Sequence, residues 1–395
     1  MNTELIHTPE GVRDIYGKEY ANKLTIQNIL HKQIHLYGYQ DIQTPTFEYF
    51  DVFGKEIGTT PAKDLFKFFD SDGNILCLRP DFTPSMARCA AKYFVDEDLP
   101  LRLSYVGNTF SNTSLLQGKL KETTQMGAEL MGDASVEADG EIIAMLIDAL
   151  QQTGLKQFRV NVGEIDYFKG ICEDLSLNEE QESVIRDYIS NKNFFAAKEY
   201  LQSEKVAEDK IKVIMAIEDL FGSVDMLEEA GKLSNHPLVQ GAIERLKNLY
   251  DVLCAYNVEK YVSFDLGMLS SYQYYTGIIF KVYTIGIGDV VVKGGRYDKL
   301  LPYFGKNSPA IGFVIVIDDL MQALKRQKIE IPLKDKNLLI VYDGFGFKDA
   351  LKEAKIHRDK GVNVQLMRFD AAKSTVDYDA YAKNHGINQV IYLMK

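Results

Sequence analysis

From Glu19 to Tyr37 the apolar residues Leu24, Ile26, Ile29, Leu30, Ile34 and Leu36 return every three or four positions. That spacing predicts one buried face of a helix, and Gly38 is placed to end it. Tyr39–Phe47 predicts a strand, with Pro45 marking a sheet edge or a break, and Asp51–Gly58 predicts a short helix. Phe66–Asp70 and Ile75–Leu78 flank Asp72-Gly73, a strong hairpin signal. A helix then begins near Ser85 and runs to Tyr93, with Pro84 in its first turn.

The stretch Leu101–Gly132 reads strand, turn-rich loop (Ser111–Lys121), strand. On the returning arm Thr123, Gln125, Gly127 and Glu129 alternate with Thr124, Met126, Ala128 and Leu130, so one face of a sheet carries Gln125 and Glu129. That face either lines a pocket or is simply wet. Asp133–Gly154 is amphipathic, with Ile142, Ile143, Leu146, Ile147 and Leu150 as its stripe. Phe158–Gly163 is a strand. From 164 to about 256 strand signals vanish and charged helical stretches replace them, which predicts a helical insertion. Tyr261–Leu266 returns to strand. Ile278–Tyr283 and Asp289–Lys293 predict two more, with the glycines at 286, 288, 294 and 295 as turn formers and GGRYD (294–298) closing the hairpin. A last strand runs into a helix near Asp318. Residues 325–335 are a polar linker, and 336–395 switch to a β-α-β-α-β rhythm, a small α/β domain.

Composition narrows the picture. A chain of 395 residues, 46% hydrophobic, has room for two or three domains and a sizeable core. Its net charge of −11 argues against a general nucleic-acid binder. The four cysteines, Cys77, Cys89, Cys172 and Cys254, form no CxxC and have no ligand-spaced histidine, so neither a zinc knuckle nor a disulfide framework is expected. Without a signal-like or membrane-spanning run, a cytoplasmic location is expected. Gly-rich phosphate loops are missing.

Six stretches, taken in order, carry a resemblance. They are TPEGVRD (8–14), LRPDFTPSMAR (78–88), the Leu101–Gly132 hairpin, YYTG (274–277), GGRYD (294–298) and IGF (311–313). Together they resemble the class II aminoacyl-tRNA synthetase catalytic fold, specifically histidyl-tRNA synthetase, over Thr8 to about Leu324. The fold implied is α+β: an antiparallel sheet flanked by helices, residues 1–324, with the helical insertion inside it. The C-terminal segment would be a shortened relative of the anticodon-binding domain, and its mixed charges do not suggest an RNA-binding face.

The departures from that family bear on chemistry. Its Phe-Arg-x-Glu context is here Phe110-Ser111-Asn112-Thr113. Its Arg-Gly-Leu-Asp-Tyr-Tyr context is Ser270-Ser271-Tyr272-Gln273-Tyr274-Tyr275. Its Gly-Leu-Glu-Arg is Val316-Ile317-Asp318-Asp319. All three ATP-handling arginines are therefore replaced, one by a carboxylate. Adenylate formation needs fixed cations beside a polyphosphate, so no catalytic residue is expected.

The residues matching the family's histidine-binding set remain: Asp81 (glutamate in the family), Thr83, Gln125, Glu129, Tyr274 and Tyr275. Keeping a binder while losing the catalyst is similar to the regulatory subunits of ATP phosphoribosyltransferase. That resemblance implies a partner, the short-form catalytic subunit, which this chain activates, and L-histidine as a feedback effector. It also implies a core-mediated dimer within a hetero-octamer of four and four, with no cofactor, metal, membrane or tRNA. Two alternatives stay open: an active histidine–tRNA ligase with displaced arginines, and a synthetase-like scaffold without ligand.

Overall fold

The structure is a computed structural model that describes residues 6–54, 60–97, 100–112, 120–269, 274–333 and 336–394. Helix α1 (Gly17–Leu36) buries Ile26, Leu30 and Ile34 completely. The single strand expected over Tyr39–Phe47 is instead two, β1 (Gln40–Asp41) and β2 (Phe47–Tyr49), in different sheets. Pro45 accounts for the split, since it offers no N–H to a ladder. The helix expected over Asp51–Gly58 is a single 3₁₀ turn at Phe50–Phe53, and residues 55–59 lie outside the described ones. Strands β3 (Lys67–Phe69) and β4 (Ile75–Leu78) form the predicted hairpin. Its turn is closed by Asp70 Oδ1, which accepts from the N–H groups of Asp72 and Asn74. Strands β2, β4 and β3 make a small antiparallel sheet.

Helix α2 (Thr83–Tyr93) starts two residues before the expected Ser85 and does hold Pro84 in its first turn. β5 (Leu101–Phe110) and β6 (Glu122–Met131) are the long hairpin, paired from Leu101↔Met131 to Phe110↔Glu122. Helix α3 (Val136–Gln152) is capped by Ser135 Oγ, which accepts from Ala138 N–H. Its five predicted stripe residues are all fully buried, each worth about 1.5–3 kcal/mol of transfer free energy. β7 (Phe158–Glu164) leads into the insertion: α4 (Ile165–Asp174), α5 (Glu179–Ser190), α6 (Phe194–Ser203), α7 (Glu208–Ala216), then β8 (Phe221–Gly222), α8 (Met226–Gly231) and α9 (Pro237–Ala255). The two-residue β8 is a strand where none was expected; it pairs with β9 (Val262–Asp265).

β10 (Ile278–Thr284), β11 (Val292–Arg296), the short α10 (Leu300–Tyr303), β12 (Ala310–Val316) and α11 (Ile317–Arg326) complete the larger unit. Here the expectation for GGRYD fails. Gly294 and Gly295 do not form a turn; they lie inside β11, paired with Phe280 and Ile279 on one side and with Phe313 and Gly312 on the other. A Cβ on Gly294 would stand 2.2 Å from the Phe280 ring. These glycines are demanded by crowding, not by a bend. The sheet has nine strands in the order β1-β5-β6-β12-β11-β10-β7-β9-β8. It is antiparallel except for the β1–β5 and β7–β9 pairs. The resemblance implies an antiparallel sheet flanked by helices, and the sheet is mainly that, with two parallel pairs toward its edges.

By compactness the chain divides into Met1–Arg13 with Ile26–Glu330, and Asp14–Thr25 with Ile331–Lys395. The second unit carries β13 (Asn337–Tyr342), α12 (Phe347–Asp359), β14 (Asn363–Arg368), α13 (Thr375–Asn384) and β15 (Gln389–Leu393). Its strands are parallel in the order β14-β13-β15. β13 alternates between two cores: Leu338 and Ile340 pack with Ala350 and Ala354 of α12, Leu339 and Val341 with Tyr378 and Ala382 of α13.

Candidate ligand pocket

One pocket in the nine-stranded sheet is lined by all six residues singled out from the sequence: Asp81, Thr83, Gln125, Glu129, Tyr274 and Tyr275. It has a volume of about 620 Å³ counting its open mouth. The floor follows from strand register. Glu129 on β6 stands opposite Gly312 on β12, which stands opposite Gly295 on β11. A Cβ on Gly312 would fall 1.6 Å from Glu129 Oε2, and one on Gly295 2.8 Å from the Tyr275 ring. The missing side chains leave the room.

Glu129 is 1% exposed. Its Oε1 accepts from Thr83 Oγ1 at 3.2 Å and from Tyr105 Oη at 3.5 Å; its Oε2 accepts from Tyr297 Oη at 2.6 Å. A carboxylate has about four acceptor positions, so these three hydroxyls leave one for a ligand. Burial pushes the Glu129 carboxyl up to about 8, and the nearby Asp81 adds to the rise, while the three hydroxyl bonds oppose it. Burial also raises the phenols of Tyr105 and Tyr297 well above the usual range, so both stay donors.

Asp81 is half-buried at the mouth of α2. Its Oδ1 accepts from Thr83 N–H at 3.0 Å, which turns the chain into the helix. Burial raises its carboxyl as well, against that bond and the field of Lys293. Gln125 Oε1 is a buried acceptor with no hydrogen-bond partner among the described residues. Tyr274 and Tyr275 stack at a tilt with centroids 4.6 Å apart, and Tyr274 meets Tyr297 edge-on at 6.2 Å. A half-saturated carboxyl pair, an unmatched amide oxygen and an aromatic wall make a receptor for a ligand with N–H donors and a flat ring.

The pocket is held from behind. Arg79 stacks 4.0 Å above Phe82, which stacks on Tyr105 at 4.3 Å. The same guanidinium donates to the carbonyls of Asn108, Thr44 and Pro45. Arg88 pairs with Glu48 at 2.7 Å. Arg296 is buried against Asp139 of α3, with Nε 3.0 Å and Nη2 2.5 Å from Oδ1. All three arginines brace the scaffold, and none lines the pocket.

Sequence reasoning missed Tyr105, Tyr297 and Lys293, all at or in the pocket. Tyr297 could have been found as the tyrosine of GGRYD. Tyr105 and Lys293 both read as ordinary strand residues. Of the replaced arginine positions, Ser111 ends the β5 arm, its N–H donating to Lys121 O at 2.8 Å, and Asp319 lies in the first turn of α11. Beside it Asp318 Oδ2 accepts from Thr124 N–H at 2.7 Å, tying α11 to β6. Thr113 and residues 270–273 lie outside the described residues.

The histidyl-tRNA synthetase family model matches residues 11–320. The ATP phosphoribosyltransferase regulatory subunit of Acetivibrio thermocellus is 39% identical over 91% of this chain and 86% of its own length. Its counterpart from Ruminiclostridium cellulolyticum is 36% identical over 100% of this chain and 93% of that one. Among solved structures, an ATP phosphoribosyltransferase regulatory subunit/histidyl-tRNA synthetase from Bacillus halodurans superposes with a TM-score of 0.89 at 33% identity, covering 99% of both chains. A histidyl-tRNA synthetase from a Nostoc species shares the fold, with a TM-score of 0.84 at 20% identity over 99% of this chain and 92% of that one. Among the described residues, no helix is long and apolar enough to cross a membrane.

Proposed function

The chain belongs to the ATP phosphoribosyltransferase regulatory subunits, on the histidyl-tRNA synthetase fold, and from this premise we propose that its pocket is a sensor for L-histidine. The chain is a regulatory subunit of ATP phosphoribosyltransferase, and its partner is the catalytic subunit of that enzyme. In this reading the chain is itself inactive, assembles with the short catalytic form as a hetero-octamer, and transmits feedback inhibition from the pathway's end product.

One observation carries the reading. The six amino-acid-pocket residues converge on one cavity, while Ser111, Ser270 and Asp319 occupy the positions of the family's ATP-handling arginines. Without those arginines the site lacks the fixed cations that steady a triphosphate being attacked by a carboxylate. The same site still offers a carboxyl pair and the unmatched Gln125 oxygen to an ammonium and an imidazole N–H. Histidine then shifts the partner's activity by a coupling free energy of roughly 1–3 kcal/mol, the usual range for allostery.

The test is reconstitution. Purified chain and short catalytic subunit are assayed apart and together, with and without L-histidine. Activity should require both, and histidine should inhibit only the mixture. Histidine-dependent pyrophosphate exchange by this chain alone would overturn its inactivity. Histidine-insensitive activity of the complex, with no calorimetric heat at millimolar histidine, would overturn the sensor.

A further inference from the structure

The six residues above leave half of an amino acid unaccounted for. Asp81, Glu129 and Gln125 suit a cationic or N–H-bearing end, and Tyr274 and Tyr275 a ring. None is a cation for a carboxylate. Among the described lining residues of the pocket there is one cation, Lys293. It stands two residues before Gly295 on β11, so both project on the same face of the sheet. Its cross-strand neighbour on β12 is Val314, itself opposite Gly127 on β6. Lys293 is thus one step along the sheet from the Glu129–Gly312–Gly295 floor.

A second feature of this face points to an anion. Directly opposite Lys293, on β10, is Lys281. Like charges facing each other across two strands destabilise a sheet. The conflict is real here: Lys281 is held below its ordinary value by burial first and by Lys293 next, with Lys192 adding to it. The groups pulling the other way are Asp265 and Asp289. Asp265 already pairs with Lys192 at 3.3 Å. On the pocket side, Asp81 is the carboxylate that feels Lys293. Two ammonium groups on a half-buried face, with Asp265 already shared with Lys192, would be relieved by a bound anion.

We propose that Lys293 binds the carboxylate of the effector, with Lys281 reinforcing the field behind it. This rests on the reading that the pocket takes an amino acid, and it completes that reading. The zwitterion lies with its ammonium toward Asp81 and its carboxylate toward β11. Lys293 then serves a bound amino acid as a point charge, with no triphosphate involved. It also gives the pocket its selectivity: an amine or alcohol with the same imidazole leaves the lysine pair unmatched.

The experiment is calorimetry on the chain in complex with the catalytic subunit, with L-histidine and with histidinol, which lacks the carboxylate. Wild type should prefer L-histidine by on the order of tenfold to a hundredfold, the usual worth of a hydrogen bond between charged groups. Lys293→Met should lose that factor for L-histidine and leave histidinol binding unchanged; Lys293→Arg should keep most of the preference. The proposal is overturned if Lys293→Met binds L-histidine like wild type. It is equally overturned if both ligands weaken together while a thermal melt remains native, which would make Lys293 a wall residue. If wild type binds neither compound, the amino-acid reading fails first and takes this one with it.

Discussion

Tyr297 Oη donates to Glu129 Oε2 across 2.6 Å, joining a residue just past β11 to the centre of β6. The two are separated by 168 positions in the chain and both are buried. This bond makes the pocket floor part of the hydrophobic core, because Tyr297 also packs with Phe82, Met86, Tyr105 and Tyr274. The proposed ligand recognition and folding therefore draw on the same side chains.

That overlap sets what Glu129 variants do. Glu129→Ala orphans three hydroxyl donors and opens a cavity, at a cost of roughly 2–5 kcal/mol. Glu129→Gln keeps shape and acceptor, and should remain folded within about 1–2 kcal/mol. Yet it removes a carboxyl that a bound ammonium would hold ionised. In urea titrations and histidine-inhibition assays, the alanine variant should lose both stability and feedback, the glutamine variant mainly feedback. Full feedback in Glu129→Gln would show that the carboxylate charge is not used.

Gln125 should behave in the opposite sense. Its Oε1 is a buried acceptor without a partner among the described residues, and an unmatched buried acceptor costs about 1–3 kcal/mol. Gln125→Leu should raise the melting temperature by a few degrees and weaken L-histidine binding at least about tenfold. A drop in melting temperature would mean that the amide already has a use in the empty pocket.

Stability should fall as pH rises toward 8. In the unfolded chain a glutamate ionises near 4.5; in the folded chain burial holds both Glu129 and Glu164 protonated up to about 8. Between those values the folded state binds more protons, so each group's stabilising contribution, complete below 4.5, is lost as pH climbs and is gone above 8. The slope is at most about 1.4 kcal/mol per pH unit for each group. Unfolding free energies at pH 5, 6.5 and 8.5 check this: relative to wild type, Glu129→Gln should gain stability as pH increases. A gap independent of pH would refute the protonated floor.

Behind the pocket, Arg296→Met should cost about 3–5 kcal/mol. It strands Asp139, which is fully buried and would keep only the partly exposed Arg245. A loss below about 1 kcal/mol would show that Arg245 alone satisfies Asp139.

Gly312→Ala should abolish ligand binding outright. The new methyl would meet Glu129 Oε2 at 1.6 Å, so the carboxylate or the strand must move, with an overpacking cost of about 1–3 kcal/mol. Native-like histidine inhibition in this variant would remove Glu129 from the site.

Much of the fold was legible because its signals are local. Helix α3 announced itself through a stripe that is fully buried, and the β5–β6 hairpin through period-two alternation. The six pocket residues were legible only through ordered motifs, since Asp81 and Glu129 are brought together by sheet register and no periodicity reveals that. What was misread depends on neighbours. Gly294 and Gly295 look like turn residues until β10 and β12 are seen on either side of them. The short β8 is stabilised by β9 and has no pattern of its own. Tyr105 hid in the first arm of the hairpin because its hydroxyl matters only once Glu129 lies beside it.

The glycines at 295 and 312 carry a consequence for the lineage. Neither lies among the positive-φ residues, so alanine is conformationally acceptable at both and only the neighbouring atoms forbid it. A single codon change at either place would close the site while leaving Asp81, Gln125, Glu129 and both tyrosines spelled out in the gene. On the proposed reading, relatives that keep all six lining residues would then be deaf to histidine. If the pocket is the sensor proposed above, sensing and non-sensing members of the family should be told apart at these two silent positions before any contact residue is compared.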